Sequence, residues 1–124
     1  MKVNITFSTY HVEAEIFETP CGRAIYASLP IKKNVSTWGE EIYIELPVHC
    51  ELEEGALAEV SVGDLAYWPN MPAFCVFFGP TPVSRGDQPV AASKVNVFGK
   101  LLDADLESLR AIREGENILV ERLD

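Results

Sequence analysis

The segment EEIYIE contains the residues whose chemistry is easiest to name. Glu41 and Glu45 share one face of a predicted strand with Tyr43 between them, because side chains alternate across a strand. Paired carboxyls serve acid–base catalysis when proximity raises the pKa of one of them. The alternative is an ordinary solvated strand face, which is the simpler interpretation in a chain with nineteen acidic residues.

The run His49-Cys50-Glu51 contains three potential metal ligands. Neighbours on a strand point to opposite faces, so only His49 and Glu51 could share a metal, and a solvated histidine is the simpler interpretation. The sequence has neither a G-x-G-x-x-G nor a G-x-x-x-x-G-K-[ST] phosphate loop, and it has no G-x-S-x-G nucleophile elbow. We therefore expect no metal, no cofactor and no assigned catalytic residue.

Residues 63–84 hold five of the twelve aromatic residues and four of the eight prolines. This concentration fits either core strands joined by a rigid loop or the wall of a binding groove. Alternation places Phe74 and Phe78 on one face of the strand AFCVFF and Phe77 on the other, and it makes the neighbours Tyr67 and Trp68 diverge. A strand that is apolar on both faces must be covered on both, by core on one side and by a loop, helix or ligand on the other.

Composition limits the classes of partner. The chain of 124 residues is 48% hydrophobic, which is typical of one globular domain spanning residues 1–124. A net charge of −9 repels nucleic acid and anionic membrane surfaces. Three widely spaced cysteines without a C-x-x-C pair indicate reduced, buried thiols, and the N-terminal residues do not resemble a signal peptide, so we expect a cytoplasmic protein.

Short strands dominate the expected secondary structure. Two-residue alternation predicts a hairpin over residues 2–16, further strands at residues 40–46 and 94–102, and a final strand in NILVERL. Three prolines and Gly86 predict a long loop over residues 79–92. A first helix is expected after Thr19-Pro20, and a second is expected to open at Asp103 and to end near Gly115. About seven or eight strands and two short helices predict a closed barrel or a sandwich.

The order of these elements and several motifs resemble the cyclophilin fold, an eight-stranded antiparallel barrel with a helix at each end. VFGKL followed by a helix is similar to a cyclophilin motif. STWGEEIYIELP, GDLAYWPNMPAFCVFFGPTPVS and ASKVNVFGK together resemble the small bacterial and archaeal cyclophilin-like proteins, over nearly the whole chain. The resemblance implies a mainly β fold, a closed antiparallel cyclophilin-like barrel of about eight strands with two short capping helices. It implies no established activity.

Cyclophilins proper isomerise Xaa-Pro bonds with an arginine, a glutamine and a later histidine, and this chain departs from that pattern. Residues 34–47 contain neither arginine nor glutamine, and Val95 stands where the histidine would fall. Proline rotation faces a barrier of roughly 18–20 kcal/mol, and a positioned donor stabilises the twisted amide. The sequence therefore leaves open whether the chain is an enzyme, with a weak or atypical peptidyl-prolyl isomerase as an alternative.

The leading hypothesis is a binding module for a peptide or small molecule, held in an aromatic groove. Asn96, within an apolar strand, is either a satisfied buried amide or a ligand donor. A structural or interaction protein that presents AYWPNMPAF to a partner or to its own copy, including a homo-oligomer, is the remaining alternative. The expected ligand is neutral or cationic, because acidic residues lie near the groove. The residues expected to line it are Trp38, Glu41, Tyr43, Tyr67, Phe74, Phe78 and Asn96.

Overall fold

A computed structural model describes residues 1–123 as a mainly β protein with ten strands and two short helices. The helices are α1 (Pro20–Ala27) and α2 (Leu106–Arg110). The first five strands are β1 (Lys2–Phe7), β2 (His11–Ile16), β3 (Ile31–Asn34), β4 (Ser36–Thr37) and β5 (Glu41–Glu45). The others are β6 (Leu57–Glu59), β7 (Asp64–Trp68), β8 (Ala73–Phe77), β9 (Val90–Leu102) and β10 (Asn117–Arg122).

The strands form an antiparallel sheet in the order β3-β10-β1-β2-β9-β7-β8-β5-β4, with β6 paired beside β9. The hairpins β1–β2 and β7–β8 follow the alternation of the sequence, with Ile5 opposite Val12 and Tyr67 opposite Phe74. The two ends of this order, β3 and β4, are separated along the chain only by Val35. Within residues 1–123, no strand pairing joins β4 back to β3, so hydrogen bonds do not close the sheet.

Residues 1–123 form ten strands, whereas the sequence predicted about seven or eight. The two strands that the sequence did not predict are β3 and β4, because they lack an alternating pattern. Of the four residues in β3 only Ile31 is buried, and β4 has two half-buried residues. Pairing with β10 and β5 respectively makes these segments strands. The strand β9 begins at Val90, four residues before the expected start at residue 94 and inside the predicted loop over residues 79–92.

The two helices differ in how well local signals define them. α1 begins after Thr19 as expected, and the Thr19 hydroxyl accepts a hydrogen bond from the Gly22 amide at 3.0 Å. The second helix was expected to open at Asp103, and that prediction was wrong. Asp103 has φ 51°, outside the helical range, and Asp105 is the N-cap of a helix of only five residues.

Two groups of buried side chains lie on opposite faces of the central strands β5, β7 and β8. The larger core includes Phe74, Val76 and Phe78, and the ring of Phe98 packs edge-on against Phe74 with centroids 5.2 Å apart. A smaller cluster on the other face includes Cys75 and Phe77. We call the first face of these strands the inner face and the second the outer face.

Candidate functional site

A cavity of about 240 Å³ opens on the outer face, above strands β5, β7 and β8 and beside the first half of β9. Its wall is formed by Trp38, Glu41, Tyr43, Trp68, Cys75, Phe77, Ala91, Ala92 and Val95. Ligand pockets usually measure about 300–1,000 Å³ and are mostly apolar with a few polar groups. The volume of this cavity lies just below that range, and its wall is likewise mostly apolar with a few polar groups.

The register of the sheet brings the floor of the cavity together. Glu41 lies opposite Phe77 and Tyr43 opposite Cys75 across the β5–β8 pair. Because alternate residues of a strand share a face, these four side chains converge on the outer face while their neighbours enter the core. The alternation that fills the core also assembles the site.

A tight turn holds Trp38 at the rim. The Trp38 amide donates to the Glu41 carbonyl at 2.9 Å, and the Glu40 amide donates to the Pro80 carbonyl at 2.9 Å. Gly39 has φ 60°, and a Cβ there would lie 2.8 Å from the Cα of Thr81. Only glycine tolerates this conformation and this close approach. The TWGEE and FFGPTP segments of the sequence therefore meet here, and together they fix the rim.

The opposite wall comes from β7 and β9. The Trp68 indole N–H donates to the Ser93 hydroxyl at 2.7 Å, which fixes one end of the ring beside β9. Ala91 and Val95 are buried at the base of this wall, whereas Ala92 is exposed. Small side chains along β9 leave the space that the cavity occupies.

Among residues 1–123, Glu41 is the one carboxyl group in the cavity wall, and it is only 6% exposed. Burial raises the pKa of the Glu41 carboxyl to about 7, and a hydrogen bond with the Cys75 thiol lowers it in part. Burial also raises the pKa of Cys75 well above its ordinary value, as does the nearby Glu41 charge, so the thiol stays protonated. No lysine, arginine or histidine lines the cavity.

Two polar groups of the wall are free to bind a ligand. Within residues 1–123, neither the Trp38 indole N–H nor the Tyr43 hydroxyl has a hydrogen-bond partner in the protein. Both residues are half-buried, so water reaches them. A ligand that entered the cavity would meet one hydrogen-bond donor, the Trp38 indole N–H. It would also meet the Tyr43 hydroxyl, which can donate or accept, and the titratable carboxyl of Glu41.

The structure brings Trp38, Glu41 and Tyr43 together at this cavity and places the other four expected residues elsewhere. Tyr67, Phe74 and Phe78 are buried in the inner core. The Tyr67 hydroxyl accepts from the Cys50 amide at 2.9 Å and donates to the Val48 carbonyl at 3.0 Å. Their side chains hold the fold on the inner face, and the cavity lies on the other.

Asn96 is 2% exposed, and its amide is fully engaged. Its nitrogen donates to the Glu51 carbonyl at 2.9 Å, and its oxygen accepts from the Glu53 amide at 2.8 Å. These bonds tie the loop after β5 to β9. Asn96 lines a second depression of about 160 Å³, which shares Val95 with the wall of the aromatic cavity.

Sequence reasoning did not place Trp68, Cys75 or Phe77 in the site. Alternation predicts that Cys75 and Phe77 share the second face of β8. It does not indicate which of the two faces lines the cavity. Ala91, Ala92 and Val95 belong to the site through the pairing of β9 with its neighbours, which no local pattern of the sequence encodes.

The two glutamates of the expected acid pair, Glu41 and Glu45, differ in their exposure to solvent. Glu41 is buried in the cavity wall, whereas Glu45, on the same face of β5, is exposed and lies outside the lining. Glu40 forms an ion pair with Arg110, whose Nε lies 2.9 Å from Glu40 Oε1. Any proton transfer at this site would therefore depend on Glu41 alone among the three glutamates.

Among the remaining candidate groups of residues 1–123, Cys75 lines the cavity, whereas Cys21 and Cys50 do not. Across residues 1–123 no group of three histidine, cysteine, aspartate or glutamate side chains is arranged to hold a metal ion. Cys21, Cys50 and Cys75 are free thiols, and Cys50 is half-buried rather than buried. Neither helix in this range has the length and apolar character needed to cross a membrane.

Known proteins share this architecture. A hypothetical protein from Archaeoglobus fulgidus, AF2241, has a solution structure that matches with a TM-score of 0.81 at 40% identity, over 98% of this chain and 94% of that one. The structure of McbB in complex with tryptophan matches with a TM-score of 0.71 over 98% of this chain but 44% of McbB, and its 12% identity indicates a shared fold alone. No curated protein matches the chain. The family described as cyclophilin-like matches residues 1–121, and the chain belongs to that family.

Proposed function

We propose that this protein is a binding module whose ligand occupies the cavity on the outer face. The main observation behind this proposal is that Trp38, Tyr43 and Trp68 surround one cavity together with the buried carboxyl of Glu41. Tryptophan and tyrosine offer large apolar surfaces with one polar end, which is why binding sites favour them. Most of the wall is already packed against β8 and β9, so little side-chain entropy is lost when a ligand binds.

This proposal changes the composition of the expected groove. Tyr67, Phe74 and Phe78 now support the cavity from the inner face, and Asn96 holds the neighbouring loop. The ligand contacts come from Trp38, Glu41, Tyr43, Trp68 and Phe77. We further propose that the sheet wraps into a barrel at the Val35 junction between β3 and β4, and that the protein works in the cytoplasm, where its three free thiols would stay reduced.

The direct test is an amide- and methyl-resolved NMR titration with a library of small molecules and short proline-containing peptides. Ligands that bind as proposed shift the resonances of Tyr43, Trp68 and Val95, and they leave residues of the inner core unchanged. Shifts confined to other surfaces, or none with any member of the library, would contradict the proposal. Glu45→Gln is the matched control, because Glu45 is exposed on the same strand and lies outside the wall.

A second candidate function is proton transfer or proline isomerisation at the same cavity. The observation that favours it is Glu41, since a carboxyl with a pKa near 7 is suited to general acid–base catalysis. The cavity wall contains no arginine: Arg23 extends from α1 toward Glu18, and Arg110 pairs with Glu40. Exchange spectra on the cis and trans signals of a bound peptide test this candidate. Exchange enhanced by the protein and lost in Glu41→Gln and Tyr43→Phe would support it, and exchange that survives both changes would contradict these roles.

A further inference from the structure

The wall of the cavity has an unusual combination of chemistry for so small a space. Four aromatic residues, Trp38, Tyr43, Trp68 and Phe77, share it with one acidic residue, Glu41. Among residues 1–123, no basic residue lines the cavity. The face of an aromatic ring attracts cations, and tryptophan does so most strongly. A buried carboxylate attracts a cation as well, and it is costly to leave unpaired. Both features favour a positively charged occupant.

The rest of the lining indicates which kind of cation. Ala91, Ala92 and Val95 offer only apolar surface, which cannot replace the hydration shell of a bare ammonium group. An ammonium that carries methyl groups is weakly hydrated and presents apolar surface of its own. Aromatic cages recognise such quaternary ammonium groups through cation–π attraction. A volume of about 240 Å³ suits a head group of this size better than a larger molecule.

Resting on the proposed binding function, we propose that the outer-face cavity binds an alkylated ammonium group between the Trp38, Tyr43 and Trp68 rings, with the Glu41 carboxylate as counter-charge. The net charge of −9 assists this choice, because it raises the local concentration of cations around the protein. The group belongs either to a free small molecule or to a methylated lysine side chain of a peptide.

Protonation of Glu41 links binding to pH. The ionisable groups that face Glu41 are the Cys75 thiol from β8 and the Tyr43 hydroxyl from β5, while β7 and β9 contribute only Trp68 and apolar side chains to the wall. Cys75 stays neutral because its pKa is raised well above its ordinary value. Cation affinity therefore increases from pH 6 to pH 8.5 as Glu41 ionises, and the bound cation in turn lowers the pKa of Glu41.

The experiment compares choline with its uncharged isostere 3,3-dimethylbutan-1-ol by NMR titration at pH 8.5. The two probes have the same shape and differ in the charge at one atom. We expect choline to bind about tenfold more tightly, which is the size of a desolvated cation–π and carboxylate interaction. Ethanolamine, which lacks the methyl groups, should bind more weakly than choline. A peptide that contains trimethyllysine is titrated in the same way. Whichever of this peptide and choline binds with the lower Kd identifies the source of the ammonium group.

Variants separate the two attractive elements. Glu41→Gln should remove most of the preference for choline over the alcohol and abolish the pH dependence, whereas Glu45→Gln should change neither. Trp38→Leu keeps apolar bulk without an aromatic face and should weaken choline binding by about fivefold, while Trp38→Phe should stay within about twofold of the wild type. Proton–nitrogen spectra of each variant without ligand confirm that it is folded.

Two outcomes would overturn the inference, and both differ from failure of the binding function. If the alcohol binds in the cavity as tightly as choline at pH 8.5, the site is a neutral apolar pocket and the binding proposal stands. If choline at tens of millimolar and the trimethyllysine peptide both leave Tyr43 and Trp68 unshifted, the cation inference is wrong. The library titration then decides the binding function by itself.

Discussion

The two faces of β8 show how one strand can hold a fold and a site at once. On the inner face, Phe74 and Val76 are buried among other large apolar side chains. On the outer face, Cys75 and Phe77 form the floor of a cavity that contains a buried acid. The strand AFCVF is fully buried on both faces, so burial alone does not distinguish them. The difference lies in what covers each face, a packed core or a few residues from a turn and from β9.

The largest effect should follow truncation of the inner face. Phe74→Ala removes a ring that is 1% exposed and packed edge-on against Phe98, and it should lower the free energy of unfolding by about 3–5 kcal/mol. Phe77→Ala, three residues further along β8, opens into space that already exists, so its cost should be smaller by about 1 kcal/mol or more. Urea unfolding of both variants measures the difference. Equal losses would mean that the outer face is packed as tightly as the inner face.

The next effect concerns Glu41 and depends on pH. Burial raises the pKa of Glu41 from its ordinary value of 4.5 to about 7 in the folded protein. The folded state therefore binds the proton more tightly than the unfolded chain, and the stability due to that proton is full below pH 4.5 and is lost as pH rises through 7. This difference in pKa corresponds to a loss on the order of 3 kcal/mol by pH 9.

Glu41→Gln should remove that loss. The variant should gain stability relative to the wild type between pH 4 and pH 9, by up to about 3 kcal/mol, whereas Glu45→Gln should follow the wild type. Unfolding curves of the variant and the wild type at a series of pH values give the difference in unfolding free energy. The contributions of the other acidic groups cancel in this difference, because both proteins contain them. A difference between the variant and the wild type that does not change with pH would show that Glu41 titrates normally.

A smaller effect distinguishes two tyrosines on opposite faces. The Tyr67 hydroxyl bridges the Cys50 amide and the Val48 carbonyl, so Tyr67→Phe should cost about 1–3 kcal/mol of unfolding free energy. Tyr43→Phe should cost almost nothing, because among residues 1–123 no protein group bonds to its hydroxyl. Thermal and urea unfolding test the pair. A matching loss in Tyr43→Phe would indicate that its hydroxyl is structural.

Much of the fold could be predicted from local sequence, because alternation encodes which side chains share a face. The hairpin of β1 and β2 follows from this alternation, and the start of α1 follows from the capping signal Thr19-Pro20. β3 could not be predicted from IKKN, since a single buried residue does not make a pattern and pairing with β10 decides its conformation. The late start of α2 depends on the left-handed backbone at Asp103, which its sequence context does not reveal.

Only those residues of the candidate site that lie close together in the sequence could be predicted. Trp38, Glu41 and Tyr43 lie within six residues, and their types alone suggested a binding or catalytic role. Trp68 and Val95 join them through a β7–β9 pairing that shifts register between Leu65 and Ala66, and an irregularity of this kind cannot be read from alternation. Tyr67 was expected in the groove because aromatic residues suit both cores and pockets, and its face depends on the same register.

The most direct test of the outer face as a site is the pKa of Glu41, measured by carbon-detected NMR of its carboxyl group with and without choline. We predict a midpoint near pH 7 in the free protein and a lower midpoint when choline is bound. A midpoint near the ordinary value of 4.5 in both samples would contradict a buried acid that faces a cation-binding cavity.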